Sequence, residues 1–97
     1  MKTLTQNQTS FLSEFCDNEG LEFREDYSGR GMYGKTCIGF VGTFSEFELG
    51  MRLAAAIAED DCLHDMDKIE TELMNPATDS MGLDTIIYWT NLRMEEK

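Results

Sequence analysis

Leu21-Glu22-Phe23-Arg24-Glu25-Asp26-Tyr27, then Ser28-Gly29-Arg30-Gly31, then Met32-Tyr33-Gly34-Lys35-Thr36-Cys37-Ile38-Gly39-Phe40-Val41 follow one another directly, and their reading decides the fold class. The first segment alternates apolar and charged residues from Leu21 to Arg24, with Tyr27 back in phase, as a half-buried strand does. Residues 32–41 form a second strand candidate, with Ile38 and Phe40 on one face and Cys37 and Val41 on the other. The glycine-rich turn between them predicts a β-hairpin.

On the N-terminal side, residues 9–19 read as a short helix capped by Thr9 or Ser10 and stopped by Gly20. Phe11, Leu12, Phe15 and Cys16 share one of its faces. After the hairpin, two overlapping capping boxes, Thr43 with Glu46 and Ser45 with Glu48, precede a helix over about 44–59. Phe47, Met51, Ala54 and Ala58 recur there at helical spacing, beside Leu49, Leu53 and Ile57. A further helix is expected over about 62–74, because Cys62, Met66, Ile69 and Leu73 fall on one side. Pro76 breaks the pattern, and Asp84 to Thr90, dense in β-branched and aromatic residues, is a third strand. The expected order is α-β-β-α-α-β: an α+β domain whose three-stranded, mostly antiparallel sheet carries helices on one face.

The 97 residues suffice for one domain with one modest core, and are too few for a TIM barrel, a full Rossmann domain or a P-loop NTPase core. No apolar run approaches the roughly 20 residues that span a bilayer. Met1 to Gln8 contains no apolar stretch of the kind a signal peptide needs. Three cysteines, Cys16, Cys37 and Cys62, are odd in number and without pattern, which suits a reducing cytoplasm better than a disulfide framework. The net charge of −11 disfavours direct contact with nucleic acid or an anionic membrane and favours a basic partner.

Gly29 to Thr36 satisfies G-x-x-x-x-G-K-[ST] in full. The P-loop mechanism also needs a buried apolar strand before the loop and a helix beginning at the lysine. Here the upstream residues are charged and the downstream ones read as strand, so the string is taken for a hairpin tip. Arg30, Tyr33 and Lys35 would make that tip a partly basic finger capable of contacts.

Charge is concentrated instead in residues 59–72, where seven acids face one lysine for a net of −6. On the helix expected over about 62–74, Asp61, Asp65 and Glu72 form a stripe, with Asp61 and Asp65 about 6 Å apart along the axis. Glu59 and Asp60 would end the preceding helix, where negative charge is unfavourable, and the pair at 61 and 65 repels. A field of this kind steers a basic surface toward Asp60, Asp61, Asp65, Asp67, Glu70 and Glu72. Cys62 and His64 among the aspartates match no zinc or calcium spacing, so no metal or other cofactor is expected. His64 is the only histidine, and no Ser or Cys stands beside it as a nucleophile. The cysteines read as small buried hydrophobes, and Tyr88 and Trp89 as packing residues.

A short acidic domain without a catalytic set resembles the small inhibitors encoded by bacteriophages, including anti-CRISPR proteins, several of which mimic DNA. The segment Asp26 to Phe40 also looks like stretches of uncharacterised phage and prophage proteins. What this resemblance implies is a non-enzymatic inhibitor of a nucleic-acid-binding subunit in a bacterial defence complex, acting in the host cytoplasm. Two other readings stand beside it. One is a small nucleotide-binding regulator using Gly29 to Thr36. The other is a homo-oligomer that pairs through the apolar hairpin or an exposed Ile86–Trp89 edge.

Overall fold

A computed structural model describes residues 2–28, 33–61 and 63–94. In chain order the elements are β1 (Lys2–Leu4), α1 (Gln6–Glu19), β2 (Glu22–Tyr27), β3 (Cys37–Gly42) and α2 (Glu46–Glu59). A 3-10 turn, Met66–Ile69, then runs into α3 (Glu70–Leu73), followed by β4 (Ala77–Met81), β5 (Asp84–Trp89) and β6 (Leu92–Met94). The α+β class holds, but the sheet has four antiparallel strands in the order β2-β3-β5-β4, with a separate parallel pair of β1 and β6. The three strands missing from the sequence reading are short or weakly patterned. β4 is Ala-Thr-Asp-Ser-Met at the sheet edge, joined to β5 by Gly82-Leu83 with Gly82 at φ 63°. A positive φ at the first of two loop residues is what a type II′ hairpin turn requires.

The hairpin of β2 and β3 forms, with Phe23 opposite Phe40 and Arg24 opposite Gly39, but its second strand is Cys37–Gly42 rather than 32–41 and the register shifts between Arg24 and Tyr27. The two faces of β3 also separate as expected. Ile38 and Phe40 join the main core, whereas Cys37 packs with Ile86 and Tyr88 on the other face, beside Tyr27 and Val41. All the helical core residues lie on the Phe40 side, so the helices cover one face of the sheet. Gly39 leaves room for Tyr27: a Cβ there would stand 3.1 Å from the Tyr27 Cβ. That approach sets the Tyr27 ring 4.9 Å from Tyr88. Because β5 lies between β3 and β4, Ile86–Trp89 is a central strand and offers no edge for self-association.

Helix α1 starts earlier than its apolar pattern suggests. Thr5 is the cap, its side chain accepting from the Gln8 N–H while the Gln8 side chain accepts from the Thr5 N–H, a reciprocal capping box. Gly20 ends the helix at φ 73°. Of the two boxes before α2, Ser45 is the one used. Leu49, Leu53 and Ile57 are buried on the core side, but Phe47 and Met51 remain 76% and 59% exposed.

At the centre, Phe40 meets the Trp89 ring edge-on with centroids 4.7 Å apart, and Phe15 and Phe23 flank it. The Trp89 Nε1–H donates to the Leu73 carbonyl at 2.9 Å, tying α3 to the sheet. Cys16 and Cys37 are buried, and burial pushes their thiols up to about 12 and about 11, so both are unreactive in the native state. Phe40→Ala should cost about 3–5 kcal/mol, a large part of the stability of a domain this size. Urea unfolding would show a lower midpoint with an unchanged slope.

Candidate interaction surface

The helix expected over 62–74 does not form as one piece. Asp61 and Asp65 both adopt left-handed backbone, φ 50° and 57°, and regular turns resume only at Met66. Aspartate tolerates this region better than most residues, because its short side chain competes with the helix for backbone groups. Met66, Ile69 and Leu73 are buried as their spacing predicted, while Cys62 lies outside the described residues. The expected stripe of Asp61, Asp65 and Glu72 on one helix is therefore corrected: the first two stand on an irregular loop.

Two polar anchors hold that loop. Gln8 is only 3% exposed; its Nε2 donates to the Asp65 carbonyl at 3.0 Å while its Oε1 serves the α1 cap. Asp60 is the second anchor. Expected as a partner-facing carboxylate, it is 8% exposed and turned inward. One carboxylate oxygen accepts from the His64 backbone N–H at 3.0 Å and the other pairs with the imidazole Nδ1. Burial alone would raise the Asp60 carboxyl, but the ring and backbone hydrogen bonds from His64, with the ring's electrostatic attraction, hold it below its ordinary value. The imidazole in turn packs on Phe11, centroids 5.6 Å apart. This pair also relieves the unfavourable negative charge at the end of α2. The spacing of an acid and a histidine four residues apart was its one sequence signal.

The remaining acids divide cleanly. Asp61, Asp65, Asp67 and Glu70 are exposed, with Lys68 Nζ at 4.0 Å from Asp65 Oδ1. Glu72 is half-buried, with one carboxylate oxygen out of solvent. The outward acidic face is thus four carboxylates, not six. The Asp60–His64 pair borders a hollow of about 260 Å³ whose described lining includes Phe11, Phe15 and Ala56 but no hydroxyl or thiol. Among the described residues, no group of three or more His, Cys, Asp or Glu could hold a metal ion. No described helix is long and apolar enough to cross a membrane.

At the hairpin tip, Gly29 to Met32, including Arg30, lie outside the described residues. Tyr33 is 95% exposed at φ 53°, and Lys35 and Thr36 are exposed and lead into β3. A P-loop places a helix N-terminus at that point; here a strand stands there instead.

Replacing Gln8 by Leu leaves the Asp65 carbonyl and Thr5 N–H without this partner, a loss of about 1–3 kcal/mol. Faster proteolysis of the 60–65 loop would accompany it. Asp60, with a lowered native pKa, contributes stability that is complete above about 3.8 and is lost as pH falls through the native value. The stability difference between wild type and Asp60→Asn, followed by urea unfolding from about pH 6 down to about pH 2, should therefore shrink in acid. Comparison with protein-family models, curated proteins and solved structures finds no match to this chain.

Proposed function

We propose that this protein is a non-enzymatic binding protein that sets Asp61, Asp65, Asp67 and Glu70 against a basic, nucleic-acid-binding surface of a bacterial defence complex in the host cytoplasm. The observation that carries this reading is how the carboxylates are held. Two of the four sit on left-handed backbone, in a loop fixed by Gln8 and by Asp60 with His64. Solubility alone asks only for charge somewhere on the surface, and does not require a strained, anchored display. Carboxylates carried on an anchored backbone suit a surface built for phosphates, and a net charge of −11 adds long-range steering. The resemblance to phage-encoded inhibitors supplies the class of partner.

The test is capture of partners from bacterial lysate at low and high salt, followed by binding of the recovered complex to charge variants. Asp67→Lys and Glu70→Lys reverse charge on right-handed backbone, and Asp61→Asn and Asp65→Asn remove it while keeping a residue that accepts a positive φ. The combined variant should bind at least about tenfold more weakly with its melting temperature retained, and DNA should compete with the wild type. Binding that is unchanged in the variant sinks the proposal.

A further inference from the structure

Helix α2 carries more apolar surface than its core requires. Leu49, Leu53 and Ile57 are the buried residues, yet Phe47, Met51 and Ala54 form a second row that faces a groove of about 690 Å³. Met74 and Pro76 make its opposite wall, and Leu53, Ile87 and Trp89 its floor. The floor offers no free donor from Trp89, whose N–H is already given to the Leu73 carbonyl. Such a lining suits apolar side chains and gives a polar small molecule little to orient it. Gly50 also lines the groove, in the middle of a helix, where a side chain would enter open space. A mid-helix glycine is unfavourable for the helix itself, and one without a packing neighbour leaves the backbone bare for close approach from outside.

The rim is acidic. Glu46 lines the groove directly. Glu70 lies one helical turn before Met74, the Met74 N–H donating to the Glu70 carbonyl at 3.0 Å. A second copy of this chain would bring −11 against −11 and set Glu46 and Glu70 against like charge. Charge complementarity selects a basic occupant instead. We infer that the groove between α2 and α3 receives a segment of the basic partner, its large apolar side chains seated over Gly50 and its flanking Lys or Arg residues meeting Glu46 and Glu70. The inference rests on the reading of the partner as basic and adds an apolar anchor to it, the arrangement in which buried anchors hold and rim charges steer.

Trp89 is the only tryptophan and lies on the groove floor, so its fluorescence reads occupancy. The full chain would be titrated with a panel of tryptophan-free peptides bearing Leu or Phe at i, i+3 or i+4 between Lys or Arg residues. Matching panels carry Glu flanks, or Ser in place of the apolar anchors. The expected result is a saturable shift of Trp89 emission with the basic apolar panel alone. Gly50→Met, which fills the groove and favours the helix, should retain or raise the melting temperature and weaken binding at least about tenfold. Glu70→Lys should weaken it less, and most at low salt. Salt-sensitive binding unaltered by Gly50→Met would overturn the groove and leave the acidic face standing. An equal response to the Glu-flanked panel, no response to the basic one, or self-association abolished by Gly50→Met would each overturn the basic occupant.

Discussion

Gln8 has its amide almost out of water, and two distant parts of the chain close on it. Through Oε1 it completes the cap of α1, and through Nε2 it fixes the carbonyl of Asp65, 57 residues away. A buried amide is tolerated only when its groups are paired, so this side chain rewards a single arrangement of α1 and the 60–65 loop. Met66 enters the core directly after Asp65, and Ile69 and Leu73 follow it in. Without the amide the loop would lose its hydrogen bond to α1, leaving the packing of His64 on Phe11 to hold it there.

The sheet provides the other half of the frame. Phe40 on β3 and Trp89 on β5 belong to neighbouring central strands and point to the helical side, where Phe15, Phe23 and Leu73 converge on them. The parallel pairing of β1 with β6 then brings Leu4 and Leu92 into the same core. In a chain of 97 residues, where buried surface is limited, drawing both ends of the described chain into one core adds apolar area that neither three-residue strand could bury alone.

Where the local pattern was strong, the sequence was legible. The alternation of residues 21–27, the two faces of β3, the stop at Gly20 and the long apolar run of α2 all recur in the structure. Short strands were not legible, because three residues of β1 or β6 cannot show a period and β4 has little β propensity. The helix over 62–74 failed for a different reason. Its buried positions were right, but periodicity does not report that Asp61 and Asp65 turn left-handed, a geometry held by Gln8 from α1 and by the pairing of His64 with Asp60. For the same reason Asp60 read as one more surface acid: its imidazole partner removes it from the face it was expected to join. On α2 the converse holds, since both apolar rows were visible and only the tertiary structure separates the row facing the core from the row facing the groove.

The broken helix explains how one partner could meet both surfaces. A continuous helix over 62–74 would have stacked its acids along a stripe and kept them parallel to its axis. The left-handed residues instead turn the chain twice before Met66, so that Asp61 and Asp65 stand on a loop while Asp67 and Glu70 continue toward Met74 and the groove. Glu70 and Met74, one turn apart, join the two surfaces. Carboxylates alone would give an association that salt dissolves, and an apolar groove alone would accept many occupants. With the two surfaces adjoining at α3, the proposed partner would need to be basic and to carry an apolar anchor beside that charge. That joint requirement is a stronger filter than either surface could impose.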